Sequence, residues 1–263
     1  MPLEILTIPC LSDNYAFLAH DSASGDTALI DVPEAAPILA ALADRGWRLS
    51  HVLLTHHHYD HVDGLAEVLA AHPAQVVGAA ADAHRLPPLD LQVAEGDTFE
   101  VGGEPAQVID VSGHTLGHIA YHFPQSRAVF TADSLMALGC GRLFEGTAPQ
   151  MWGSLSKLAA LPDQTIVYSG HEYTQANGAF ALTIEPDNPD LISRVRDITA
   201  ARAENRATVP SALSLEKATN PFLRAGNAQV QQNLGMQGAD PADVFAEIRG
   251  RKDRFWHNPD HTR

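Results

Sequence analysis

The sequence predicts an α/β fold, an αββα sandwich followed by a small helical C-terminal domain. Three observations lead there. Short β-branched runs alternate with amphipathic helical stretches through the first two-thirds of the chain. Histidines and acidic residues recur just past the C-terminal ends of the predicted strands. After Glu172 the strand-like runs disappear and only helical patterns remain.

In chain order, Leu3–Pro9, Tyr15–His20 and Thr27–Val32 read as an antiparallel meander, with turns at Ser12-Asp13-Asn14 and Ser24-Gly25-Asp26. Ala35–Trp47 has helical periodicity, with Ile38, Leu39 and Leu42 on one face. The apolar strand Val52–Leu54 runs into a histidine cluster, and Asp60–Ala71 follows as one helix with Leu65, Val68 and Leu69 inward. Ala74–Gly78 is the next strand, after a proline that stops that helix. From Leu91 to Tyr168 strands dominate: Thr98–Val101, Gln107–Val111, His118–Phe123, Ala128–Thr131 and Thr165–Tyr168, with a helix at Ser154–Leu161. Gln175–Thr183, Leu191–Thr208 and Ala242–Trp256 are helical, the last entered through Asp240 as N-cap and Pro241 in the first turn. The pattern places a domain boundary near residue 174, giving domains at 1–174 and 175–263.

Bulk composition narrows the function classes. A hydrophobic fraction of 45% and a charged fraction of 19% describe an ordinary globular protein. The net charge of −15 argues against non-specific nucleic-acid binding, which needs a basic surface. The charge is uneven: −18 over residues 1–191 and +3 over 192–263, so the tail segment is the part suited to meet an anion. Cys10 and Cys140 lie far apart without a CxxC pattern and read as reduced, buried thiols. The N-terminus lacks the basic start and apolar stretch of a signal peptide, and no apolar run approaches membrane-spanning length. A cytoplasmic monomer with no membrane partner is expected.

The segment Thr55-His56-His57-His58-Tyr59-Asp60-His61 carries the strongest chemical signal. His56 and His58 alternate at the end of an extended strand, so both imidazoles project to one side. Asp60 and His61 follow where the chain turns into a helix, which lets the segment serve two neighbouring ions. A surface histidine tract is the plain alternative, but four potential ligands within six residues after a buried strand favour a metal site. Imidazole and carboxylate suit Zn²⁺, and Fe or Mn also fit. Three later features join it: His114 in Gly113–His118, Asp133 past Ala128–Thr131, and His171 past Ile166–Tyr168. His57 points to the opposite side of the strand and reads as a supporting residue, as does His118. His20, His51, His72, His84, His122, His257 and His261 have no partner pattern.

The THxHxDH segment followed by His114, Asp133 and His171 resembles the metallo-β-lactamase superfamily. The resemblance implies that His56, His58 and His114 hold one divalent ion, that Asp60, His61 and His171 hold a second, and that Asp133 bridges them. Two ions about 3.5–4 Å apart deprotonate a shared water near neutral pH and can polarise a carbonyl. Asp60 would also orient that nucleophile, as the catalytic residue proper.

Gly139–Thr147, Gly170–Thr174, Thr219–Arg224 and Lys252–Phe255 narrow the resemblance to the hydroxyacylglutathione hydrolase family, across essentially the whole chain. That likeness implies hydrolysis of the thioester S-lactoylglutathione to glutathione and D-lactate. It also implies that Arg142, Tyr173, Arg249 and Lys252 hold the glycine end of glutathione. Arg249 and Lys252, three residues apart, share a helix face; a solvated basic helix end is the alternative. Phe144 stands where some relatives have Tyr, so a hydrogen bond to glutathione is lost there. A lactonase or broader thioesterase, a mononuclear iron sulfur dioxygenase and a non-catalytic metal-binding module are the competing readings.

Overall fold

The computed structural model describes residues 2–255; Trp256, His257 and His261 lie outside them. The chain forms two compact units, Met1–Val111 with Leu116–Ala132, and Ser112–Thr115 with Asp133–Arg263.

The first unit begins with the expected meander: β1 (Glu4–Cys10), β2 (Asn14–His20) and β3 (Thr27–Ile30), all antiparallel. Helix α1 (Ala35–Arg45) ends at Gly46, whose left-handed φ of 67° closes the helix as only glycine does without strain. Strand β4 (His51–Leu53) then pairs parallel to β3. The predicted helix over 60–71 is two helices, α2 (Tyr59–Val62) and α3 (Leu65–Ala71). The break falls at Gly64, whose N–H donates to the Val32 carbonyl and whose missing Cβ leaves room for the backbone of Ala35. Strands β5 (Gln75–Ala79) and β6 (Leu91–Val93) complete a six-stranded sheet ordered β1 to β6. A second, antiparallel ribbon follows as β7 (Thr98–Val101), β8 (Glu104–Asp110), β9 (Ile119–Phe123) and β10 (Ala128–Ala132).

The alternation of side chains along β2 shows how the layers meet. Ala16 and Leu18 face α1 and α3, where they join Ile38, Leu42, Leu65 and Val68 in one core. Phe17 faces the other way, its ring 5.6 Å from that of Phe130 on β10. Tyr121 of β9 donates its hydroxyl to the Leu54 carbonyl at 2.8 Å, so the two sheets stack face to face. Burial pushes that phenol well above its ordinary pKa. Each fully buried large apolar side chain adds roughly 1.5–3 kcal/mol, and every residue of β2 is buried.

The second unit opens with a tight hairpin, β11 (Leu135–Met136) and β12 (Gly139–Cys140). Helix α4 (Ala148–Ala159) starts in a capping box made by Thr147 and Gln150. Next come β13 (Ile166–Ser169), α5 (Thr174–Ile184) and α6 (Pro189–Ala203), the last capped by the Asn188 side chain. A two-residue strand, β14 (Ser211–Ala212), pairs with β13, so strand structure does not end at Glu172 as the sequence pattern suggested. Helices α7 (Leu213–Thr219), α8 (Ala228–Leu234) and α9 (Pro241–Phe255) complete the unit.

Three polar side chains from these helices hold the β11–β12 turn. Asn177 donates to the Ala137 carbonyl, Asn220 to those of Met136 and Gly139, and buried Glu216 accepts the Leu138 N–H. Aromatic contacts link Trp152 to Phe245, Phe245 to Phe222, and Phe222 to Phe180. No helix among the described residues is long and apolar enough to cross a membrane.

Candidate metal centre

The first unit contributes the histidine cluster, built on the exit from β4. His56 and His61 are fully buried, with ring centroids 4.2 Å apart. Each has its Nδ1 engaged by protein: His56 by the Thr55 hydroxyl at 3.0 Å, and His61 by Asp31 Oδ2 at 2.8 Å. Asp31 also accepts the Thr55 N–H at 2.9 Å and its hydroxyl at 2.8 Å. A proton kept on Nδ1 by these acceptors leaves the Nε2 lone pair to face a metal, the usual arrangement around ligating histidines. The His58 ring meets that of His56 edge-on at 4.8 Å. Asp60 brings Oδ2 to 3.8 Å from His61 Nε2.

His57 projects away, as strand alternation requires, and pairs with buried Asp82 at 2.7 Å. His118 stacks parallel on His56 at 4.5 Å, a packing role.

The second unit carries a cluster of its own. Asp133 stands between two imidazoles, Oδ2 lying 3.5 Å from His114 Nε2 and Oδ1 3.3 Å from His171 Nε2. One carboxylate thus offers an oxygen toward each of two imidazole nitrogens. His114 has its Nδ1 fixed by the Arg142 carbonyl at 2.8 Å. Ala132, immediately before Asp133, holds a left-handed φ of 41°, strain of the kind stored at functional sites. Gly141 passes so close to Asp133 that any Cβ there would be driven into the Asp133 carbonyl oxygen. The Tyr173 ring stacks on His171 at 4.7 Å, and Phe144 meets His114 edge-on at 5.2 Å.

The expected anion-binding residues also lie in this unit. Arg249 and Lys252 are not a solvated helix end: they are 5% and 2% exposed. Arg249 donates to the Cys140 carbonyl at 2.9 Å and to Asp253 at 3.0 Å, and lies over the Phe222 ring. Lys252 sits over the rings of Phe180 and Phe255 and donates to the Ala176 carbonyl. Burial, with Arg249 beside it, brings the Lys252 ammonium down to about 7. Arg142 lies 3.5 Å from Asp253, its side chain half-exposed. Cys10 and Cys140 are free and buried, and burial pushes both thiols up to about 11. Asn14, Asp31 and Asp82 support the histidine cluster without having stood out in the sequence. Each is an isolated polar residue far from the motif, and its link to the site exists only in the folded chain.

Comparison with known proteins accords with this geometry. A model of the metallo-beta-lactamase superfamily matches residues 21–171, and one of the hydroxyacylglutathione hydrolase C-terminus matches 172–255. The hydroxyacylglutathione hydrolase of Ruegeria pomeroyi is 68% identical over 255 residues, which cover 97% of this chain and 100% of the relative. Among solved structures, ETHE1 from Myxococcus xanthus is similar with a TM-score of 0.64 at 27% identity, covering 97% of this chain and 100% of that one. TTHA1623, solved in a di-iron-bound form, has a TM-score of 0.61 at 25% identity, covering 84% of this chain and 100% of that one. The fold is an αββα sandwich with a helical C-terminal region. On the full-length identity and both family models, the chain belongs to the hydroxyacylglutathione hydrolase family, within the metallo-β-lactamase superfamily.

Proposed function

We propose that the protein is a binuclear metal-dependent thioester hydrolase that converts S-(2-hydroxyacyl)glutathione, S-lactoylglutathione above all, to glutathione and a 2-hydroxy acid such as D-lactate. This is the thioester-cleaving step of methylglyoxal detoxification. One observation carries the reading: within the second unit, His114 and the buried cations are linked by two hydrogen bonds and one ion pair. His114 binds the Arg142 carbonyl, Arg142 approaches Asp253, and Asp253 binds Arg249. A group held by those cations through its carboxylate is thereby tied to the ligand histidines.

His56, His58 and His114 would hold one ion, Asp60, His61 and His171 the other, and Asp133 would serve both. The Nδ1 contacts of His56, His61 and His114 and the two-sided placement of Asp133 support this assignment. Zinc suits the donor set; iron and manganese fit it too, and the di-iron form of TTHA1623 favours keeping iron in view. Bound divalent ions supply a water acidified toward neutral pH and an electrophile for the carbonyl oxygen. Asp60 orients the attacking water. Arg249, Lys252, Arg142 and Tyr173 hold the glycine end of glutathione, so remote binding energy sets the thioester in line for attack. The leaving thiolate needs little protonation, which removes the need for a strong general acid.

The catalytic domain spans residues 1–174 and the substrate-binding domain 175–263, a division supported by the adjoining ranges of the two family models. A cytoplasmic monomer completes the reading. The test is S-lactoylglutathione hydrolysis with metal analysis of the same sample. Turnover proportional to ion content, reaching its maximum at two ions per chain, is expected. Two bound ions without turnover would sink the assignment.

A further inference from the structure

The β1–β2 hairpin reaches the metal centre through one buried side chain. Asn14 is 4% exposed, and its single amide nitrogen donates twice to the same residue: to the Asp60 backbone carbonyl and to Asp60 Oδ2, both at 3.1 Å. The first bond has a local cause. In a continuous helix the Asp60 carbonyl would accept from the N–H of Gly64. That N–H is instead turned to the Val32 carbonyl at 2.9 Å, because the helix breaks there. The Asn14 amide takes over the acceptor that the break leaves behind, and its second hydrogen reaches the carboxylate.

The hairpin is itself held in place. Leu11, at the turn, has a left-handed φ of 50°, and its N–H donates to Glu34 at 2.9 Å. The seven-residue pairing of β1 with β2 fixes Asn14 opposite Cys10.

We infer that Asn14 is a positioning residue for Asp60: its amide fixes the carboxylate's rotamer and so sets affinity at the second metal position. The inference rests on the ligand role proposed for Asp60. Two hydrogen bonds from one rigid amide leave that carboxylate little freedom, and partners of this kind typically carry about 10- to 100-fold in metal affinity.

The test compares wild type, N14L, N14S and D60N as purified holoenzymes dialysed against graded chelator. Metal content, melting temperature, kcat and KM for S-lactoylglutathione are then read on each. The expected result is that N14L and N14S keep the first equivalent at wild-type chelator levels. They release the second at about 10- to 100-fold lower chelator. Their kcat falls in step with the second equivalent while KM stays within about twofold. Loss of both equivalents together, or a fall in melting temperature with unchanged metal affinity, would make Asn14 merely structural and overturn the inference. So would failure of both variants to fold, or wild-type retention of both ions. If D60N keeps both ions and full turnover, it is the role of Asp60 that fails. If D60N loses the second ion and N14L does not, only the role of Asn14 fails.

Discussion

Asp31 Oδ2 lies 2.8 Å from His61 Nδ1 and accepts the Thr55 hydroxyl at the same distance. One buried carboxylate therefore sets the orientation of an imidazole and anchors the turn that carries the histidine cluster. Substituting Asp31→Ala should weaken metal retention by about 10- to 100-fold. It should also destabilise the fold by about 1–3 kcal/mol, because the buried Thr55 N–H loses its acceptor. Chelator titration and thermal melting of the same variant check the two effects separately; an unchanged chelator profile would refute the orienting role.

Gly141 makes a backbone-against-backbone contact with Asp133. Adding a methyl group there cannot be absorbed by a side-chain rotation. We expect Gly141→Ala to displace Asp133, lower thioester turnover sharply, and cost about 1–3 kcal/mol as overpacking does. The unfolding midpoint and activity per bound metal are the measurements. A variant as active and as stable as wild type would show that the loop can shift freely.

Asp133 and Arg249 should separate chemistry from binding. Asp133→Ala, measured at fixed metal content, should lower kcat by more than the roughly 100-fold attached to outer partners of a metal site. Arg249→Ala removes a charge-assisted contact worth about 1.5–3 kcal/mol. That corresponds to a rise in KM of about 10- to 100-fold with kcat little changed, the signature of lost uniform binding. A substrate lacking the glutathione carboxylates should be insensitive to Arg249→Ala.

Lys252, held near 7, gives a pH dependence with a definite sign. Below about pH 7 the ammonium is charged and can pair with a substrate carboxylate; above it the charge is lost. The KM of the wild type should therefore climb as pH rises through this value, whereas Lys252→Arg, which stays charged, should flatten the rise. Stability runs the opposite way. The folded pKa lies below the ordinary 10.5, so the unfolded chain binds more protons between about 7 and 10.5. Folding stability from this group rises with pH across that window. Melting curves of wild type against Lys252→Met over the same window test it; parallel pH profiles would refute the shift.

The sequence made the candidate ligands legible because they are dense, alternate with strand period, and sit at strand ends. The supporting shell was not. Asn14 and Asp31 are single polar residues 46 and 30 positions before the groups they grip, Asp60 and His61. The same limit applied to the fold. Helices α1 and α9 were placed within a residue or two, but α6 ends at Ala203, five residues before the expected Thr208, and the break at Gly64 depends on a tertiary contact with Val32. Strand β14 is two residues long and carries no periodicity at all. Burial of Arg249 and Lys252 was likewise invisible, since charge alone predicts a wet surface while packing on Phe180, Phe222 and Phe255 decides otherwise.

The carbonyl of Arg142 fixes His114, while the side chain of Arg142 points to Asp253, the partner of Arg249. Main chain and side chain of one residue thus answer to different masters. Exchanging the side chain leaves the carbonyl in place, so this position is free to drift in charge, length or hydrogen-bonding capacity while the imidazole stays aligned. Under the substrate-binding role proposed for Arg142, such drift would retune the preferred acyl carrier and leave His114 aligned. The neighbouring glycine, Gly141, has no such latitude, and the contrast between adjacent residues marks where adaptation and constraint meet along the loop.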